Sequence, residues 1–207
     1  MASWEILLRV FGAVGLYGVV HSWLASPAVK AWVARQWRWG GGTYRLFYNL
    51  FATLTLLPVL ALPMVSPDRP LYRIPWPGAA GALALQGAGG LLVLDALRRT
   101  GLKAFLGLED PEAHTRFQAH GPYRWTRHPV YFGSLLFLWA TPWMTRNQAF
   151  LYAALSLYLL VGTQIEERRL LRQWGEPYRT YRGQVPDWDF LLTLAGMGFA
   201  ALMAHLY

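Results

Sequence analysis

The charged residues of this chain are confined to short segments, and the stretches between them are long enough to cross a lipid bilayer. Only 14% of the 207 residues are charged and 55% are hydrophobic, whereas soluble domains have about 25% charged residues. The uncharged runs are 10–29, 46–67, 74–94, 128–145, 147–165 and 190–207. A helix needs about 20 apolar residues to cross the hydrocarbon core. The pattern predicts an all-α, polytopic membrane helix bundle of about five or six transmembrane segments.

The first three runs predict an N-terminal region, residues 1–97, with three spans. We expect these spans at about 6–24, 44–65 and 78–97. Three glycines recur every third residue on the first span: Gly12, Gly15 and Gly18. Small residues at such spacing favour close packing of membrane helices.

The distribution of basic residues predicts the orientation in the membrane. Loops 27–43 and 98–127 are basic, whereas the charge of loop 66–77 between them is almost balanced. Loops with an excess of Lys and Arg stay in the cytoplasm, so we expect 98–127 inside and the N-terminus outside. These loops account for the net charge of +8, and no nucleic-acid partner is expected. The chain has no cysteine, which excludes disulfides and thiolate metal sites.

The fourth and fifth runs predict a short helical hairpin. The run from Val130 to Thr145 extends only about 24 Å as a helix, less than the thickness of the hydrocarbon core. We expect the chain to turn near residues 141–147 and to return to the cytoplasm. The amphipathic segment that follows predicts a helix along the membrane surface, so 98–189 would form a cytoplasmic cap and core. The final run, 190–207, either spans the membrane or lies shallow in it.

The stretch GPYRWTRHPVYFG, residues 121–133, places cationic side chains directly before an apolar helix. Pro129 suits the first turn of a helix, and the free N–H groups of that turn attract anions. Arg127 offers a fork of donors and His128 a ring that can donate or accept. The pattern indicates a binding site for an anionic group. The alternative is that both side chains anchor the helix at the lipid headgroups.

Glu166 and Glu167 are adjacent acids where the fifth run ends, among basic residues. We expect the helix to end there, and both acids then oppose its dipole, so a cationic ligand or an arginine from 98–128 is expected to hold them. The alternative is a solvated helix end whose acids pair with Arg169 or Arg172. Aromatic residues flank both clusters: Tyr123, Trp125, Tyr131, Trp174, Tyr178 and Tyr181. Aromatic faces bind sulfonium and ammonium cations.

Other kinds of site find little support in the sequence. The spacing of His114, His120 and His128 matches no standard metal-ligand pattern, so no metal site is expected. The chain contains no GxGxxG after a strand, which excludes a Rossmann cofactor site. His21 and His205 lie in apolar runs, and a haem-binding electron carrier that uses both remains an alternative.

Two motifs in the C-terminal half carry a family resemblance. GPYRWTRHPVYFG, followed by a short hairpin and EERRLLRQWGEPYRTYRGQVP, resembles the isoprenylcysteine carboxyl methyltransferase and phospholipid methyltransferase superfamily. HSWLAS at 21–26 and TYRLFYNL at 43–50 are similar to the bacterial branch with NnrU-like proteins and methanethiol S-methyltransferases. The resemblance implies an integral-membrane enzyme that uses S-adenosylmethionine.

The same resemblance assigns roles to particular residues. Arg127 and Glu167 are the candidate catalytic pair, which ties the loop to the helix or holds the methionine carboxylate. The backbone near 115–118 would close the pocket. The candidate cofactor-binding residues are Gln118, Tyr123, His128, Pro129, Val130, Tyr131, Glu166, Tyr178 and Tyr181.

One position departs from the prenylcysteine enzymes. The resemblance places an arginine one turn before the glutamate pair, where this chain has Gly162. A small acceptor such as methanethiol needs no such arginine, so methyl transfer to a thiol is favoured over prenylcysteine methylation. Methylation of a phospholipid or other lipid from the surrounding membrane, and a non-catalytic accessory protein, remain alternatives.

Overall fold

The computed structural model describes residues 3–109 and 117–206, and it is 78% helical. A 3₁₀ turn at Gly121–Arg124 precedes the sixth helix. In chain order the other elements are α1 (Ser3–Ala25), α2 (Pro27–Trp37), α3 (Gly41–Ala61), β1 (Pro70–Arg73), α4 (Gly78–Thr100), α5 (Leu102–Leu106), α6 (Pro129–Trp139), β2 (Trp143–Thr145), α7 (Arg146–Trp174), α8 (Glu176–Gln184) and α9 (Asp189–Leu206).

Within residues 3–109 and 117–206, five helical stretches are long and apolar enough to cross a membrane. They are α1, α3, α4, α7 and the stretch Glu176–His205 that ends in α9. Helix α6 is apolar but has only eleven residues, and it forms the short arm of the predicted hairpin with α7. The prediction of a polytopic all-α bundle with five or six segments is therefore confirmed.

The turn of the hairpin contains a small sheet that the sequence did not predict. β1 and β2 pair antiparallel, with Pro70 opposite Thr145 and Arg73 opposite Trp143. The segment expected as loop 66–77 thus fixes the far end of the hairpin. Thr145 then begins α7 with a capping box, in which its side chain and that of Gln148 each accept a backbone N–H of the other residue.

Two helix boundaries differ from the expected ones. The basic segment 27–43 contains α2, because Ser26 caps its start and Pro27 occupies the first turn. Helix α7 continues past the glutamate pair to Trp174. The residues at 166–174 are mostly good helix formers, so the helix ends only at Gly175, which has a φ of 58°. The charged residues that begin at Glu166 indicate a change in the surroundings of α7, and the helix itself continues beyond them.

Close helix contacts occur at particular glycines. Gly89 of α4 and Gly133 of α6 face each other, and a Cβ at either position would lie under 3 Å from the carbonyl oxygen of the other. On α1, only Gly18 has a close neighbour, the ring of Tyr158 on α7. Gly12 and Gly15 have no atom within 4 Å of a Cβ position, so the expected packing role of these two glycines is wrong for this bundle.

The apolar face of the segment after the glutamate pair is buried within the chain. Leu170, Leu171 and Trp174 pack with Phe117 around the buried rings of α8. These rings belong to Tyr178 and Tyr181, and Phe117 contacts both edge-on. These residues form a local apolar core that holds α8 against α7, and the position of the segment along a membrane surface stays a prediction.

Candidate active site

The carboxylate of Glu167 is the centre of a buried polar network at the start of α6. Its Oε1 accepts hydrogen bonds from Arg127 Nε at 2.9 Å and from the Tyr178 hydroxyl at 2.8 Å. His128 Nε2 lies 3.0 Å from the same oxygen, and Arg182 Nε lies 3.0 Å from Oε2. The Glu167 side chain is only 6% exposed, so these contacts supply the charge compensation that a buried carboxylate requires.

The guanidinium N–H groups of Arg127 bond to other groups of the protein. Besides Glu167, it donates to the carbonyl oxygens of Arg182 at 3.3 Å and Val185 at 2.9 Å. A second carboxylate, that of Asp187, lies 3.6 Å from Nη2. Arg127 therefore connects the loop before α6 to α7 and to the segment after α8. Arg127 was expected either to connect the loop to the helix or to hold the methionine carboxylate. These contacts favour the first role.

Glu166 has different surroundings from those of its neighbour. Its side chain is 30% exposed, and Arg169 lies 3.4 Å from Oε1 in a partly solvated pair. Its Oε2 is 3.9 Å from His128 Nδ1, beyond hydrogen-bond distance. The Tyr131 hydroxyl lies close enough to interact electrostatically with this carboxylate. Glu166 thus retains the capacity to accept hydrogen bonds from a ligand. In Glu167, Oε1 already has three protein partners, and the buried Oε2 pairs with Arg182 without a hydrogen bond.

Aromatic side chains flank the Glu166 carboxylate. The His128 and Tyr131 rings lie 5.7 Å apart between centroids. Burial, with a smaller contribution from nearby Glu166, raises the pKa of Tyr123 to about 12. Its phenol is neutral near pH 7 and can donate a hydrogen bond. Tyr181 donates to the Tyr123 carbonyl at 2.7 Å, which joins α8 to the turn that carries Tyr123.

Most of the residues predicted for the site lie together. Pro129 is the first residue of α6 and is fully buried, as is His128 before it. Val130 follows in the same turn, and its carbonyl accepts a hydrogen bond from Ser134. Gln118 lies in the extended segment beside Phe117, and it joins the network by no hydrogen bond among the described residues. The expected closure by backbone at 115–118 falls partly on residues 115 and 116, outside the described part of the chain.

The expectation that the glutamate pair lies at the C-terminus of a helix is wrong. Both acids lie two turns before the end of α7, where the helix dipole exerts little effect. Glu167 is held there by Arg127, one of the two partners that the sequence indicated. Sequence reasoning missed Asp187, which contacts Arg127, and Asp189, a fully buried acid whose oxygens have no hydrogen-bond partner among the described residues. Both stand in the short segment VPDWD, where nothing distinguished them from solvated loop acids.

The haem alternative requires a free ring nitrogen on His21. Tyr17 and Tyr48 place their hydroxyls 3.3 Å from Nδ1 and 2.5 Å from Nε2 of that ring. Both nitrogens are therefore engaged by the protein, and this arrangement does not favour iron ligation.

Comparison with known proteins gives consistent similarities. Residues 16–185 match the family described as a protein of unknown function, DUF1295. The methanethiol S-methyltransferase of Mycobacterium tuberculosis is 34% identical over 83% of this chain and 73% of its own length. The enzyme of the same name from Pseudomonas deceptionensis is 30% identical over 89% of this chain and 73% of its own length. The methanethiol S-methyltransferase of Crocosphaera subtropica is 29% identical over 87% of this chain and 73% of its own length. No solved structure matches the chain.

Proposed function

The chain belongs to the DUF1295 family, and we propose that this membrane methyltransferase transfers a methyl group from S-adenosylmethionine to a small thiol. Relatives that carry the name methanethiol S-methyltransferase match more than four fifths of the chain. The single structural observation that carries the proposal is the difference between two adjacent acids. Glu167 is 6% exposed and its Oε1 has three protein partners, whereas Glu166 is 30% exposed beside three aromatic rings.

The groups around Glu166 fit the chemistry of the methyl donor. S-adenosylmethionine carries a sulfonium cation, an ammonium group and ribose hydroxyls, and its sulfonium supplies an electrophilic methyl group when it is bound. The Glu166 carboxylate would accept hydrogen bonds from the ammonium or the hydroxyls. The rings of Tyr123, His128 and Tyr131 would lie against the cation or the flat base. The first turn of α6 directs its free N–H groups towards the same place, and Pro129 and Val130 form this turn.

The remaining residues of the site would act by positioning. Arg127 and Glu167 fix the loop that carries His128 against α7, and Tyr178 donates to the same carboxylate. Tyr181 holds the Tyr123 backbone. A direct methyl transfer requires no covalent enzyme intermediate, so the catalytic effect comes from alignment of the two reactants and exclusion of water. Gln118 would lie at the rim of the pocket.

Gly162 indicates an acceptor without a carboxylate. A Cβ at this position would lie 3.6 Å from the Tyr131 hydroxyl, so the side of α7 next to the candidate donor site has no cation there. The prenylcysteine enzymes, by resemblance, use an arginine at this place to hold the substrate carboxylate. A small thiol requires space and an apolar environment, and it is the acceptor that this position supports best. A lipid acceptor from the bilayer is the second candidate.

The orientation follows from the positive-inside rule. Residues 98–127 are basic, so this segment and the glutamate pair would face the cytoplasm, where the methyl donor is made. Residues 98–189 would then form the cofactor-binding core and cap, beside the three spans of 1–97 and the apolar segment 190–207. In a bacterial cell this places the enzyme in the inner membrane, in contact with its lipids.

Calorimetry with S-adenosylhomocysteine tests the donor site directly. We expect the purified protein to bind it, and Glu166→Gln to weaken binding about 10–100-fold, because hydrogen bonds to a charged group contribute about 1.5–3 kcal/mol. Glu176→Gln is the matched control, since Glu176 is 76% exposed on α8, and it should bind as the wild type does. A methyl-transfer assay then compares methanethiol, a prenylcysteine and a phospholipid. Absence of any binding by the wild type would overturn the proposal.

A further inference from the structure

A second polar cluster lies inside the bundle, separate from the Glu167 network. His21 of α1 is held between two tyrosine hydroxyls: Tyr17 lies 3.3 Å from Nδ1, and Tyr48 of α3 lies 2.5 Å from Nε2. The Tyr158 ring of α7 stands edge-on to the His21 ring at 6.2 Å. The polar partners of this histidine among the described residues are thus hydroxyl groups, and no carboxylate holds it as a cation.

This cluster joins the two sequence motifs to which the donor site assigns no role. His21 opens HSWLAS and Tyr48 stands in TYRLFYNL. Other polar residues of the second motif bond to backbone: Tyr44 donates to the Leu24 carbonyl at 2.7 Å, and Asn49 donates to the Phe105 carbonyl at 2.7 Å. These bonds have an evident structural function. Tyr48 instead directs its hydroxyl to an imidazole, a group that can take up a proton.

The His21 cluster and the candidate donor site lie along one face of α7. Tyr158, Gly162 and Glu166 are four residues apart and therefore lie one above another. Gly18 of α1 leaves room for the Tyr158 ring, because a Cβ there would lie 2.8 Å from it. One turn further along, a Cβ on Gly162 would make ordinary van der Waals contact with the Tyr131 hydroxyl at 3.6 Å, so the missing side chain leaves a space the size of a methyl group there. Along α7, Gly162 thus lies between Tyr158, which contacts the His21 ring, and the partly exposed Glu166 carboxylate.

We propose that His21, through the hydroxyl of Tyr48, takes up the proton of the acceptor thiol, and that the thiol lies in the space beside Gly162. This inference rests on the proposed function. The thiolate, and not the thiol, is the effective nucleophile, and an apolar membrane interior disfavours its formation without a proton acceptor.

The step balances as follows in atoms and charge. The thiol S–H proton passes to the Tyr48 oxygen while the Tyr48 proton passes to His21 Nε2, which requires that Nε2 carries no proton beforehand. The thiol sulfur forms a new bond to the methyl carbon, and the bond from that carbon to the sulfonium sulfur breaks with its electron pair left on the donor. The products are a methyl thioether, the neutral donor thioether and an imidazolium that releases its proton to water. In this tautomer the Tyr17 hydroxyl, 3.3 Å from Nδ1, would accept a hydrogen bond from Nδ1–H and so favour it.

The test compares two acceptors of nearly equal size but different acidity. Ethanethiol requires a base at neutral pH, whereas the fluorines of 2,2,2-trifluoroethanethiol make its thiolate accessible without one. The full-length enzyme in detergent is assayed as wild type, His21→Asn and Tyr48→Phe, with His205→Asn as the control histidine on the exposed side of α9. Binding of S-adenosylhomocysteine is measured for each variant, to show that the donor site and the fold are retained.

General-base assistance contributes about 10²–10⁴-fold. We expect both site variants to lose about 10²-fold or more of kcat with ethanethiol but less than about tenfold with trifluoroethanethiol, with unchanged S-adenosylhomocysteine binding. Equal losses with both thiols, or no loss with ethanethiol, would overturn the inference while the proposed function stands. If the wild type methylates neither thiol, the proposed function fails and the inference fails with it. Tyr48→Phe removes one hydroxyl only and guards against a folding defect of His21→Asn.

Discussion

Replacement of Glu167 by glutamine should destabilise the protein far more than the same change at Glu166. Glu167 is 6% exposed and is contacted by Arg127, His128 and Tyr178 within 3.0 Å. Glutamine retains the shape but removes the charge, which leaves the Arg127 guanidinium, 13% exposed, without its closest counter-charge. Loss of one partner of a buried pair costs about 3–5 kcal/mol. Asp187 at 3.6 Å still compensates Arg127 in part, so we expect about 3 kcal/mol.

The assay is thermal unfolding of the purified protein in detergent. A chain of 150–250 residues loses about 2–4 °C in Tm per kcal/mol, so Glu167→Gln should lower Tm by about 6–12 °C. Glu166→Gln is the matched control on the same helix. Its pair with Arg169 is partly solvated, and such pairs contribute about 0–1 kcal/mol, so its Tm should fall by at most about 4 °C while its affinity for S-adenosylhomocysteine falls. Equal shifts in Tm for the two variants, or a shift below about 2 °C for Glu167→Gln, would refute the division of roles between the two acids.

Two further outcomes are expected. Gly89→Ala should lower stability by about 1–3 kcal/mol in the same unfolding assay, because its Cβ would lie 2.6 Å from the Gly133 carbonyl oxygen. Gly90→Ala is the control, since it has open space and should leave Tm unchanged. A similar shift in Tm for both variants would contradict the close contact of α4 and α6. Burial raises the pKa of Tyr123 to about 12, whereas an unfolded tyrosine titrates near 10. Between about pH 10 and pH 12 the unfolded state loses the phenol proton and the folded state keeps it. The contribution of Tyr123 to stability is therefore lost as pH rises through this range. Tyr123→Phe should flatten the decline of Tm over that range, and an identical decline in variant and wild type would argue against a buried phenol.

The location of the candidate site was predicted from two short motifs in which its polar and aromatic residues are concentrated. Pro129 after His128 indicated a helix start, and α6 begins at that proline. The two acids stood out because the residues around them are basic. An arginine from 98–128 was expected to hold these acids, and Arg127 holds Glu167. The second acid on Arg127 was not predictable, since Asp187 reaches it only after α8 has folded back on α7. The error about the end of α7 arose because a change in polarity was taken as the end of a helix, although the side chains there favour helix.

The sequence by itself determined the class of the protein. Uncharged runs of about 20 residues require helices that satisfy their own backbone hydrogen bonds in the bilayer. The described part of the chain contains five helical stretches of this kind. Only the tertiary structure decided how two adjacent glutamates differ. The rotation between neighbouring residues on a helix is about 100°, which directs Glu167 into the Arg127 network and Glu166 to the partly exposed face. Tertiary packing of α1, α3 and α7 also decided that His21, Tyr48 and Tyr158 lie together, because no local pattern in the sequence connects positions so far apart.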